Sequence, residues 1–143
     1  MSYIPISAIQ ALASTFGYNN ASGISMPVTT PVRVRADGDV DYVNVSVEAD
    51  VFAIVGVVSE LTLPNAQAPV MTSGRLLNIN TSFLFGDPVY INKAGDLTNI
   101  KPTIGVNSFI SGDYVVRIGT ISKNTENPLL KDLIISLNLV GQL

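Results

Sequence analysis

From Pro31 onward, apolar and polar residues alternate over most of the chain with a period of two, the pattern of half-buried strands. In residues 31–36, Val32 and Val34 alternate with Arg33 and Arg35, and Asp37-Gly38 then predicts a two-residue hairpin turn. The return strand alternates Val43, Val45 and Val47 with Asn44, Ser46 and Glu48. Residues 51–58 form a continuous apolar run, which predicts a strand buried on both faces. Residues 61–68, broken by Pro64, read as a connection, and residues 70–79 as short strands around Ser73-Gly74. Pro88-Val89-Tyr90-Ile91 is the next strand, turned back by Lys93-Ala94-Gly95-Asp96 into residues 97–100. A short strand at 103–106 follows, and Ser111-Gly112-Asp113 turns into a strand at 114–122. After a loop at 123–128, residues 131–140 place Leu133, Ile135, Leu137 and Leu139 on one face. Many short strands parted by Gly, Asp and Asn turns predict an all-β fold, a small β-barrel or β-sandwich.

Two segments echo one another. Ile54-Val55-Gly56-Val57-Val58-Ser59-Glu60 resembles Arg117-Ile118-Gly119-Thr120-Ile121-Ser122-Lys123. A glycine inside a strand marks a bulge, a tight bend or the close approach of another backbone. The two segments are expected at comparable corners of the fold.

The first part of the chain has a different character. Residues 1–32 hold no Asp, Glu, Lys or Arg, and every charged residue lies between Arg33 and Asp132. This shift predicts an extended N-terminal arm at 1–31 and a barrel or sandwich body at 32–143. Ser7 is placed to cap one short helix over residues 8–16 that Gly17 would end, with Ile9, Leu12, Ala13 and Phe16 on one face. Residues 18–25, rich in Asn, Ser and Gly, read as loop. A helix this short with no charged face is a poor free-standing element, so the arm is expected against a partner surface. Tyr3, Ile4, Ile6, Ile9, Leu12, Phe16 and Tyr18 are its candidate contact residues, a large apolar area to leave in water.

Composition narrows the function. Of 143 residues, 47% are hydrophobic and only 13% charged, against about a quarter charged in ordinary soluble domains. So sparsely charged a surface predicts an obligate oligomer or an assembly component. With no cysteine there is no disulfide or thiolate chemistry. With no histidine, the commonest general base and transition-metal ligand are missing. The basic residues are scattered and the net charge is −3, which argues against nucleic acid as a partner. No apolar run reaches the length of a membrane helix, and the N-terminus lacks the pattern of a signal peptide. The expectation is a protein that stays in the compartment where it is made until it assembles.

No cluster carries clear chemistry. Asp37, Asp39 and Asp41, with Glu48 at the twelfth position, look superficially like a calcium loop. Tyr42 occupies the place where that loop needs its glycine, so a solvated hairpin turn is expected and no metal site or cofactor is assigned. No Ser-x-x-Lys pair and no G-x-S-x-G elbow is present to activate a serine. Two carboxylates would suffice for a glycosidase, but Asp37, Asp87, Asp96 and Asp113 all sit at turns, where turn chemistry accounts for them. No enzymatic activity and no catalytic residue are expected. A carbohydrate-binding sandwich remains a competing class, disfavoured by the absence of tryptophan.

One stretch resembles a known family. Gly86-Asp87-Pro88-Val89-Tyr90-Ile91, the turn through Gly95 and then Leu97-Thr98 look like the hairpin of the small decoration, or cement, proteins of tailed bacteriophages. Val55-Gly56-Val57-Val58-Ser59 upstream and Val116-Arg117-Ile118-Gly119-Thr120-Ile121 downstream fit the same order of elements. The resemblance spans roughly residues 52–140 and leaves out the arm. It implies a compact β-barrel or sandwich, often a homotrimer, made in the host cytoplasm and seated on the outer capsid surface of the virion. There it would bind the major capsid protein and bridge capsomers. A tail-fibre or head-fibre subunit is the neighbouring alternative within the virion.

Overall fold

The computed structural model describes residues 15–143, and within them the chain is all-β, in two antiparallel five-stranded sheets. The first sheet contains β1 (Thr15–Asn19), β2 (Pro31–Val34), β3 (Val40–Tyr42), β4 (Ile54–Val58) and β5 (Gln67–Met71), in the order β1-β5-β4-β2-β3. The second contains β6 (Gly74–Leu76), β7 (Pro88–Ile91), β8 (Leu97–Thr98), β9 (Tyr114–Lys123) and β10 (Lys131–Gln142), in the order β6-β10-β9-β7-β8. One short helix, α1 (Glu48–Phe52), lies between β3 and β4. Neither sheet closes into a barrel. The edges of the first are joined by a single parallel bridge, Asn20 to Val40.

Period-two alternation divides the apolar residues between two cores. On β4 and β5, Val57 and Met71 enter a large cluster shared with Val89, Ile118, Ile121, Leu133 and Ile135 of the second sheet. Their neighbours Val58 and Val70 point the other way, into a smaller cluster with Val32, Val40, Ala68 and Met26. The first sheet is therefore buried on both faces, as the unbroken apolar run predicts. Met26 reaches the smaller cluster from a two-strand ribbon, where it bridges Thr62.

The echoing glycines are both bulge positions. Gly56 faces Val32 and Gly119 faces Val89, and in each ladder the register slips at the next step. A Cβ at Gly56 would fall on the carbonyl of Met71, and one at Gly119 on the carbonyl of Ile134. Both glycines are thus required by the close approach of a neighbouring strand.

Several expectations change. Thr15 and Phe16 are in β1, not a helix, and β1 pairs with β5 from Thr15↔Met71 to Asn19↔Gln67. The change at Pro31 is one of charge and not of structure in the described residues: residues 15–31 supply β1, the buried Asn20 and the core residue Met26. The Asp37-Gly38 hairpin is not a two-residue turn. Gly38 N–H donates to Arg35 O (2.9 Å), Arg35 N–H donates to Asp39 O (2.7 Å), and Gly38 takes φ +89°, which describes a type I turn with a following glycine bulge.

Val43 and Val45 are buried as the alternation requires, but the ladder ends at Tyr42, and Val45 O instead accepts from Tyr114 N–H (2.9 Å). Residues 51–52 close α1, so β4 starts only at Ile54. β8 is only Leu97–Thr98, and residues 103–106 are turn, not strand. On β10, the bulge between Ile135 and Asn138 ends the single buried face, leaving Leu139 exposed.

Candidate interaction surface

Several large apolar side chains face outward. The ribbon formed by residues 24–28 and 60–64 is held together by Met26 N–H donating to Thr62 O (2.8 Å) and Thr62 N–H donating to Met26 O (2.9 Å). Thr62 points inward, so its neighbours Leu61 and Leu63 point outward, 64% and 62% exposed. Ile24 and Val28 are exposed on the facing arm of the ribbon.

Asn20 fixes this ribbon to the body. Its fully buried amide donates to the carbonyls of Ile24 (2.9 Å) and Leu63 (3.2 Å), while Oδ1 accepts from Ser22 N–H (3.0 Å) and the Ser22 hydroxyl (2.7 Å). A buried amide so fully bonded holds the loop rigid, which keeps the leucines from collapsing onto the core.

Of the contact residues expected from the sequence, Tyr3, Ile4, Ile6, Ile9 and Leu12 lie outside the described residues. Phe16 and Tyr18 share one face of β1, and the structure separates their roles. Tyr18 packs half-buried against the smaller core, whereas Phe16 is 56% exposed. Sequence reasoning does not single out Leu61, Leu63 and Ile24, which fall in segments that read as a connection and a loop. The signal available was three large apolar residues in segments outside the expected strands.

A second exposed group sits at a β-turn. Asp87 N–H donates to Leu84 O (3.1 Å), and Gly86 at φ +85° occupies the position that a type II turn reserves for positive φ. Leu84 and Phe85 are exposed at its tip, with Lys123 and Lys131 Nζ 5.7 and 6.0 Å from the Phe85 ring centre. Asp87 holds the turn. Its Oδ2 accepts from Asn99 Nδ2 (3.0 Å) and from Leu84 N–H (2.8 Å), and these bonds hold its carboxyl below the usual range. In the Gly86-Asp87-Pro88 motif, the aspartate is therefore a structural turn residue.

The most concentrated polar group joins the loop after β3 to the loops after β7 and before β9. The Ser46 hydroxyl donates to Asp113 Oδ1 (2.6 Å), and Lys93 Nζ donates to Asp113 Oδ2 (2.7 Å) and Ser46 Oγ (2.7 Å). Ile110 N–H also donates to Oδ2 (2.9 Å). Burial pushes the Asp113 carboxyl up, but the bonds from Lys93, Ser46 and Ile110 together outweigh it and leave the pKa lowered. A serine beside a lysine invites comparison with a nucleophile and its base. Here the Ser46 hydroxyl donates to Asp113 and Lys93 donates to both, so the lysine is not placed as a base for the hydroxyl proton. The arrangement works as a clip.

The acidic hairpin is likewise committed to local bonds. Asp37 Oδ1 accepts from Asp39 N–H (3.0 Å), Asp39 Oδ2 from Asn19 Nδ2 (3.0 Å) and Asp41 Oδ1 from Tyr42 N–H (2.7 Å). Among the described residues, no three His, Cys, Asp or Glu side chains are grouped to hold a metal ion. A shallow groove of about 410 Å³ is lined by Asn92, Lys93, Ala94, Thr98, Asn107 and Ser108, without an aromatic ring. No helix among the described residues is long and apolar enough to cross a membrane. Comparison with protein-family models found no match, and neither did comparison with curated proteins.

Proposed function

We propose that this chain is a structural virion protein that binds the outer surface of a tailed-phage capsid and stabilises it by bridging capsomers. It acts without catalysis, cofactor, nucleic acid or membrane, and it associates with itself as a homotrimer. The observation that carries this reading is the rigidly mounted apolar ribbon: Leu61, Leu63 and Ile24 stand exposed on a chain with 13% charged residues. Patches of this kind mark protein contact sites. The hairpin from Gly86 to Thr98, on which the resemblance to decoration proteins rests, adds the choice of partner, the major capsid protein.

The test is electron microscopy of virions with and without this protein. Added density on the head at the junctions of capsomers is the expected result. Density at the tail would favour the fibre alternative and overturn the capsid reading. Removal of residues 1–20 is unsuitable as a companion experiment, because it would delete β1 and Asn20 as well. The cut has to stop before Thr15. Loss of head binding in the L61D/L63D variant, with its fold unchanged, would locate the contact on the ribbon.

A further inference from the structure

The two sheets share one plan. Pro31 faces Val57, Val32 faces Gly56 and Arg33 faces Ile54. Pro88 faces Thr120, Val89 faces Gly119 and Tyr90 faces Arg117, with one residue skipped at the same step. β5 and β10 hold equivalent places, each second in the order of its sheet.

Their edges differ. β1 covers β5 along its whole length, from Gln67 to Met71. The outer edges of that sheet then meet, since Asn20 bridges Val40 and Ala21 N–H donates to Val40 O (3.0 Å). β6 covers only Leu133, Ile134 and Ile135 of the 12-residue β10. From Ser136 to Gln142, the only strand beside β10 among the described residues is β9, and no other backbone bond reaches it.

Alternate residues of an open strand turn unpaired N–H and C=O groups outward, where another strand can pair with them. Natural edges are guarded by charge, proline, brevity or bulges. β8, the far edge of the same sheet, is only 2 residues long. Between Asp132 and Gln142, β10 has neither a charge nor a proline. Its bulges fall on either side of Asn138 and Leu139, which pair regularly with Arg117 and Val116.

The sequence of this edge suits a copy of itself. Leu137-Asn138-Leu139 is the same in both directions. Two such strands, antiparallel about a two-fold axis at Asn138, set Asn138 against Asn138 of the second copy and each Leu137 against the other copy's Leu139. The faces agree with this register. Leu137 packs against the large core and Leu139 pairs with the core residue Val116, so both lie on the inner face. Leu139 is 40% exposed there, and the pairing covers it. Asn138 lies on the outer face with Arg117, where its amide can both donate and accept.

We propose that the open edge of β10 pairs with β10 of a second copy of this chain, joining their second sheets into one continuous sheet across a two-fold axis. Strand addition of this kind draws its affinity from main-chain hydrogen bonds and its register from the side chains beside them. A two-fold contact does not build a homotrimer; it links one homotrimer to the next. It stands whether or not the chain sits on a capsid.

The test follows the mass of the full chain by sedimentation velocity from low to high protein concentration. Wild type should rise to twice the mass of N138K, in which like charges stand opposite one another at the axis. That ratio is expected whether the smaller species is one chain or three, which separates this contact from a three-fold one. N138K mixed in equal parts with N138D should regain the wild-type mass, because the opposed charges are then unlike. L129K, at an exposed position away from the edge, should sediment as wild type. Amide hydrogen exchange at residues 136–142 of the wild type should slow over the same concentration range, a readout that needs no variant. Equal masses for wild type and N138K throughout, a loss that N138D does not repair, the same loss in L129K, or exchange at 136–142 that ignores concentration would each overturn the proposal.

Discussion

The first five strands and the second five share their order, registers and bulges, yet the two sheets meet different surroundings. In the first, Val57 and Met71 lie under the second sheet and are buried; in the second, Thr120 and Ile134 occupy the same ladder positions with more solvent, Ile134 being 36% exposed. The comparison teaches that backbone geometry and side-chain polarity are under separate control. Gly56 and Gly119 are dictated by the strand beside them, which is the same in both sheets. Residue polarity at Val57 and Thr120 follows what covers them, which is not.

The largest expected effect comes from breaking the clip that ties the loop after β3 to the loops of the second sheet. Asp113→Ala leaves Lys93 without its partner and Ser46 without its acceptor, a loss of about 3 kcal/mol in urea unfolding. Met71→Ala and Ile134→Ala then separate the two environments. The first opens a cavity in the shared core and costs about 3 kcal/mol, while the second removes a partly exposed side chain and costs about 1 kcal/mol or less.

Gly56→Ala and Gly119→Ala sharpen the likeness, since each drives a methyl into a carbonyl of the next strand. Both should lose about 1–3 kcal/mol, and similarly to one another. The smallest effect is with pH. The folded-state pKa of Asp113 is lowered from 3.8, so its stabilisation is present above that value and is lost as pH falls through the folded value. The gap in melting temperature between wild type and Asp113→Asn should be widest near neutral pH and narrow below about pH 4.

Much of this fold is legible in the sequence because strands announce themselves by alternation. β9 and β10 stand almost where the pattern places them, whereas β5 begins at Gln67, inside the expected connection, and β6 ends at Leu76. The short echo around Gly56 and Gly119 is the visible part of a longer correspondence, which the different loops between the matched segments interrupt. Other features were hidden for physical reasons. Val43 and Val45 alternate like a strand because burial needs alternation, whether or not a ladder forms. α1 is only five residues long and has no side-chain cap, so it sends no helical signal. β1 was obscured because Phe16 and Tyr18 also suit a helical face, and only pairing with β5 decides between them. The surface leucines were missed because a pattern of apolar residues does not reveal which of them the fold leaves outside.

The most direct measurement of the central contrast is a pair of equivalent substitutions, Val57→Thr and Thr120→Val, compared by urea unfolding. Val57 is completely buried in the shared core, so placing a hydroxyl there should cost about 1–3 kcal/mol. Thr120 lies on the uncovered face, and its replacement should change stability by no more than about 0.5 kcal/mol. Equal losses at the two positions would contradict the account, because they would mean that both faces are covered alike.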